Sequence, residues 1–214
     1  MLECRTYSYA ELSQYLKTNS PKGIKNKLRN YEVEFEATGR GERSTYEITA
    51  INNPFKVFAV FDLEVKPQTD IKKFAYFVYL ILTDDKFCGM GAEMMEEHLR
   101  NSECSISRQT IANYLEMLRV RNLIDFTAEF VYYKVYKKYG VQTHDVISRE
   151  EYSAAWRVYW ECKNNGYSTG GAFRSMYNFF GGVPRKHPKV GVNGIYNDIT
   201  KWVVDILIED YGKE

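Results

Sequence analysis

The stretch Ser105–Asp125, SISRQTIANYLEMLRVRNLID, decides how the middle of the chain is read. Ile111, Leu115 and Leu118 recur at the spacing of one helix face, and Ser107 stands where a hydroxyl caps a first turn. Gln109, Asn113 and Glu116 fall on the opposite side, with Arg108 and Arg119 on a flank. Such a helix has one face to bury and another to present. Upstream, GAEMMEEHLR reads as a short amphipathic helix burying Met94, Met95 and Leu99. Downstream, EFVYYKVYKKYG reads as a basic strand with a glycine turn before Val141, carrying Lys134, Lys137 and Lys138.

The first fifty residues repeat this order with different letters. Ser8 and Glu11 have capping-box spacing, and Leu12, Tyr15 and Leu16 supply an apolar face. After KTNS, Pro21 suits the first position of a second helix, PKGIKNKLRNY, which turns Ile24, Leu28 and Tyr31 inward. Lys22, Asn26 and Arg29 then face outward, with Lys25 beside them. EVEFEATGRGERSTYEITAI alternates, turns at Gly39-Arg40-Gly41 and alternates again, which predicts a hairpin with Arg40 and Arg43 near its tip.

Short helix, turn, basic-faced helix and hairpin is the order of a winged helix-turn-helix, here without the helix that usually precedes the pair. In the middle of the chain, EMMEEHLRNSECSISRQTIANYLEMLRVRNLID resembles the helix-turn-helix half of bacterial winged-helix transcription regulators. Ser107, Arg108, Thr110, Ile111, Leu115, Leu118, Leu123 and Ile124 carry that resemblance, which covers about sixty residues. The turn RNSECSI is longer than in those regulators, and Asn122 stands where they often have glycine. The resemblance implies a recognition helix whose outward side chains meet base edges.

Between the two units VFAVFDLEV reads as a buried strand, or two short ones, ended by Pro67. DIKKFAYFVYLIL is apolar nearly all round and predicts a central helix of the second unit. The last third reads as helical. ISREEYSAAWRVYWECKNNG has a capping box at Ser148 and Glu151 and a stop at Asn165-Gly166, and STGGAFRSMYNFF ends at Gly181-Gly182. VPRKHPKVGVNG reads as a basic loop, and IYNDITKWVVDILIEDYG as a closing apolar helix. The expected architecture is mainly α with small β hairpins, an α+β fold. It divides into a winged-helix-like unit at 1–51, a strand linker at 52–68, a second winged helix-turn-helix at 69–145 and a helical region at 146–214 that covers the second unit or dimerises.

Bulk composition narrows the function classes. With 44% hydrophobic and 27% charged residues the 214-residue chain is globular rather than disordered. A net charge of +1 means that any nucleic-acid contact comes from local clusters; Lys17 to Arg29 holds five basic residues and no acid. The four cysteines and three histidines lack metal-site or redox spacing, so no cofactor is expected. No signal peptide or membrane span is expected, which makes the cytoplasm the default compartment. Asp62-Leu63-Glu64-Val65-Lys66 has the Glu-x-Lys spacing of some metal-dependent nucleases, but Ile48 to Phe61 lacks the second acid that such a site needs, and no other enzyme motif assembles.

The expected function is therefore sequence-specific binding of double-stranded DNA, as a transcription regulator or replication-initiation factor of a phage, plasmid or bacterium. Asn26, Arg108, Gln109 and Asn113 read bases. Lys22, Lys25, Arg29, Arg40, Arg43, Lys134, Lys137 and Lys138 hold phosphates. Two units in one chain offer two half-sites, or one unit makes a homodimer. The alternative is a non-enzymatic inhibitor or adaptor that binds a protein partner, such as a phage protein blocking a host nuclease.

Overall fold

The computed structural model describes residues 1–100, 102, 104–194 and 197–211. The chain is a mixed α/β structure whose two small sheets are both three-stranded and antiparallel. It divides into two compact units, one made of Met1–Thr83, Glu116–Leu123 and Gly194–Glu214 and the other of Asp84–Leu115 and Ile124–Asn193. Among the described residues no helix is long and apolar enough to cross a membrane.

The first unit opens with β1 (Thr6–Ser8), α1 (Tyr9–Tyr15) and α2 (Pro21–Asn30). The hairpin of β2 (Val33–Thr38) and β3 (Thr45–Ile51) follows, and the sheet order is β1-β3-β2. The capping box forms, with Ser8 and Glu11 each accepting from the other's backbone N–H. Alternation in the strands turns Val33, Tyr46 and Ile48 into a core that also holds Leu12, Leu16, Ile24 and Leu28. The short β1 lay beneath the resolution of the sequence pattern, because three residues carry too little alternation to show.

Next come α3 (Pro54–Val57), one turn of π-helix (Phe58–Asp62) and α4 (Ile71–Thr83). The strand expected at VFAVFDLEV is thus helical through Asp62 and irregular from Leu63 to Val65. Asn53 caps α3 by accepting from the Lys56 N–H, Pro54 occupies the first position, and an apolar run without period suits a buried helix as well as a strand. The Leu63 N–H reaches the Phe58 carbonyl at 3.0 Å, which defines the wide turn. α10 (Asn197–Tyr211) packs on α4 and α3, with Trp202 against Phe58 and Phe55 stacked on Phe74. The four consecutive segments expected from sequence are therefore replaced by interleaved units. An α4 that is apolar on nearly every side needs cover from both directions, and the last helix belongs with it rather than with a separate C-terminal region. Ile195, Tyr196 and Gly212, expected within that last helix, lie outside the described residues.

Of the nuclease-like spacing, Asp62 ends this turn and Glu64 and Lys66 follow it in irregular chain, so none stands on a strand. Asp62 accepts from the Tyr15 hydroxyl at 2.6 Å and lies 3.1 Å from the Met1 ammonium. Glu64, at φ 56°, receives the Lys17 ammonium and, at 3.0 Å, the Arg121 guanidinium. Both carboxylates are spent on holding the unit together.

The second unit contains α5 (Asp85–Cys88), α6 (Ala92–Leu99), most of α7 (Arg108–Val120), β4 (Ile124–Lys138), β5 (Val141–Ile147), α8 (Arg149–Asn164), α9 (Thr169–Phe180) and β6 (Val183–Val192). The sheet order is β5-β4-β6. β6 is the stretch expected to be a basic loop. It pairs along β4 from Val135↔Val183 to Ile124↔Val192, and Pro184 and Pro188 are accommodated because β6 is an edge. α8 and α9 cover one side of this sheet, where Tyr132 meets Tyr152. α6 reaches the other through Glu93 and Glu97. α8 starts at the expected Ser148–Glu151 capping box, and α9 ends at Gly181 with φ 71°. Asn122, in glycine's place, adopts φ 55°, a region asparagine tolerates better than most residues. Asn101 and Glu103 of the expected RNSECSI turn lie outside the described residues.

Two outcomes follow. Ile24→Ala removes a fully buried side chain and costs about 2–5 kcal/mol in urea unfolding. The Lys17 hydrogen bond and charge, with the Arg121 charge, hold the Glu64 carboxyl below its ordinary value of 4.5. A depressed folded value stabilises above the unfolded one and stops doing so as pH falls through the folded one. Wild type therefore exceeds Glu64→Gln in urea midpoint at neutral pH, and the gap closes in acid; a gap independent of pH contradicts this.

Candidate nucleic-acid interface

In the first unit the charge pattern is set by what α2 must bury. Ser20 caps the helix, accepting from the Gly23 N–H at 3.0 Å, and Ile24 and Leu28 fix its rotation against the core. Lys22, Asn26 and Arg29 are left exposed and Lys25 partly so. Lys27 points the other way, donating to the Leu16 carbonyl at 2.5 Å, and so closes the end of α1 rather than joining the outward cations. The turn after β2 exposes Arg40 and Arg43 and is possible because Gly39 and Gly41 take φ of 86° and 62°.

None of Lys22, Lys25, Arg29, Arg40 and Arg43 has an ion-pair partner among the described residues, and Arg29 makes only a distant approach, 6.0 Å, to the Phe35 ring. One acid, Glu42, stands exposed between Arg40 and Arg43 in this turn. Glu34, Glu36 and Glu47 project from the solvent side of the sheet, with Glu36 and Glu47 directly opposite each other. The small net charge of the whole chain thus conceals a local basic face on α2, where Asn26 stands among Lys22, Lys25 and Arg29.

The residues expected on α7 stand on its outward side but are engaged with protein. Gln109 donates to Asn113 at 3.1 Å. The Arg108 guanidinium lies 3.8 Å from Glu93, and its backbone N–H donates to Glu96 at 3.0 Å. One turn later Arg119 grips Glu116 through two bonds of 2.8 and 3.0 Å and holds that carboxyl below the usual range. Glu116 is therefore not a bare negative charge.

On the β4–β5 hairpin the three expected lysines separate. Lys134 packs along the strand, 3.8 Å from Asp145 and over the Tyr136 and Phe180 rings at 5.1 and 5.7 Å. Lys137 and Lys138 are exposed at the tip. β5 is held to α6 from its middle to near the turn: the His144 ring meets the Glu97 carboxylate, and Gln142, across from Lys137, donates to Glu93 at 2.6 Å. Burial pushes the Tyr133 hydroxyl up beside this contact. Tyr139, outside the set expected from sequence, is 95% exposed between Lys138 and Gly140. Its signal was an aromatic residue in a two-residue turn where asparagine or glycine is usual.

The chemistry these side chains offer is hydrogen bonding and charge. Among the described residues no group of three or more His, Cys, Asp or Glu is placed to hold a metal ion. Cys4 is an exposed thiol, and burial pushes the Cys88 thiol up to about 11. Compared with known proteins, the chain matches no family model, no curated protein and no solved structure.

Proposed function

We propose that this protein binds double-stranded DNA sequence-specifically through its winged-helix-like units, as a transcription regulator or replication-initiation factor of a phage, plasmid or bacterium. The observation that carries this reading is the outward face of α2, where Asn26 stands among Lys22, Lys25 and Arg29 with no acid to neutralise them. A helix of that kind suits a major groove, and an asparagine amide there pairs bidentately with adenine. Arg40 and Arg43 at the tip of the following hairpin add two phosphate contacts. If all five cations engage, log affinity falls against log salt with a slope of about −4 to −5.

The α7 residues take a secondary part. The Gln109–Asn113 bond is exposed, so exchanging it for base edges is nearly neutral, and the exposed Arg108–Glu93 pair is worth little to break. A second reading, a non-enzymatic inhibitor or adaptor, draws on the acidic side of the first sheet, where Glu34, Glu36 and Glu47 suit a partner with a basic surface.

Selection from a randomised duplex library at two salt concentrations tests the proposal. Enrichment of one motif with a steep salt dependence supports it, and retention of no duplex at low salt overturns it in favour of the adaptor reading. On the enriched site, Asn26→Ala costs about 1–3 kcal/mol and relaxes specificity at one position, whereas Lys25→Ala weakens every duplex alike and lowers the salt slope by about 1. Asn113→Ala has a smaller effect than Asn26→Ala in the same titration, because Asn113 is already bonded to Gln109.

A further inference from the structure

The β4–β5 hairpin outruns its sheet. β6 stops pairing at Val135, whereas β4 and β5 stay paired to Lys138↔Val141, so residues 136–143 form a two-stranded ribbon. Its turn is Tyr139-Gly140, with φ of 53° and 81°. A two-residue turn with both residues left-handed favours Asn-Gly, and a tyrosine Cβ there carries a conformational cost that glycine escapes. Burial does not offset that cost, because Tyr139 is 95% exposed and its ring is approached by the Lys138 ammonium at 5.9 Å. Lys137 is exposed beside it, and neither lysine has a carboxylate partner among the described residues. Asp145 is occupied lower in the register with Lys134 and Tyr136, and Glu93 of α6 is held by Gln142, the residue directly across from Lys137.

A strained, presented aromatic ring that follows two exposed lysines, with the Lys138 ammonium 5.9 Å from its centroid, matches a base face with phosphates beside it. We infer that the β4–β5 tip is a base-stacking finger, in which Tyr139 stacks on a nucleobase that is not already stacked on both sides, while Lys137 and Lys138 hold the adjoining phosphates. This rests on the nucleic-acid reading above and narrows it for the second unit. In continuous duplex both faces of each base are taken, and opening a step costs more than a single tyrosine ring returns. The finger therefore favours an unpaired or bulged base beside duplex. One ring and Val141 are also a small apolar area for insertion into lipid.

The test compares a short mixed-sequence duplex with the same duplex carrying one bulged 2-aminopurine, each titrated with the full chain. Wild type binds the bulged form about 5- to 100-fold more tightly, and the 2-aminopurine fluorescence changes as the ring stacks. Tyr139→Gly abolishes the preference and the fluorescence change, and relief of the turn keeps its urea midpoint at or above wild type. Tyr139→Phe retains both. The double variant Lys137→Ala/Lys138→Ala weakens the bulged complex and lowers its salt slope by about 2.

Retention of the preference by Tyr139→Gly overturns the finger. Wild type that binds continuous duplex, responds to Lys25→Ala and shows no bulge preference overturns the finger alone and leaves the α2 reading standing. Loss of the bulge preference in Tyr139→Gly with no response to Lys25→Ala supports the finger and overturns the α2 assignment. Wild type that binds neither duplex overturns both. Binding to phosphatidylserine vesicles that depends on Tyr139, without a bulge preference, overturns the finger in favour of a lipid contact.

Discussion

Burial of Ile24 and Leu28 is the constraint on which the first unit depends. These two side chains, four residues apart, lock the rotation of a ten-residue helix against Tyr46 and Ile48 of the hairpin. With the rotation locked, Lys22, Asn26 and Arg29 have only solvent to face. Lys27, by contrast, is turned toward the preceding helix and becomes its cap. The basic face is thus a consequence of packing, since the same residues on a free helix would present no fixed pattern.

The distribution of acids completes that arrangement. Alternation in β2 and β3 sends Glu34, Glu36 and Glu47 to the solvent side of the sheet, away from the core that α2 covers. Glu64 and Asp62 are drawn into contacts with Lys17, Arg121, Tyr15 and Met1 on the wide turn after α3. Carboxylates that resembled half of a catalytic set thereby serve the fold. In the second unit a comparable division holds: Arg108 and Lys134 are tied to carboxylates, and Lys137 and Lys138 have none among the described residues. Charge that is spent inside the protein and charge that is presented are separated residue by residue.

Much of this was legible in the letters. The capping boxes at Ser8–Glu11 and Ser148–Glu151, Pro21 at a helix start and the turn at Gly39-Arg40-Gly41 depend on neighbouring residues, and each forms as read. The outward residues of α2 followed from its period. The failures share a different cause. VFAVFDLEV had no period to distinguish strand from buried helix, and the deciding signal was the Asn53-Pro54 start just ahead of it. VPRKHPKVGVNG looked like a loop because of its prolines, yet an edge strand tolerates them once β4 is there to pair with.

Local chemistry in the sequence by itself determined where helices begin, which faces are apolar, and that no acid falls among the basic residues from Lys17 to Arg29. Tertiary structure alone decided that α10 covers α4, that β6 completes the second sheet, and that Arg108 and Lys134 are engaged while Lys137 and Lys138 are exposed. The physical reason is range. Caps, turns and helix faces are settled within about four residues, whereas strand partners, helix cover and ion pairs depend on groups that only the folded chain brings within contact distance.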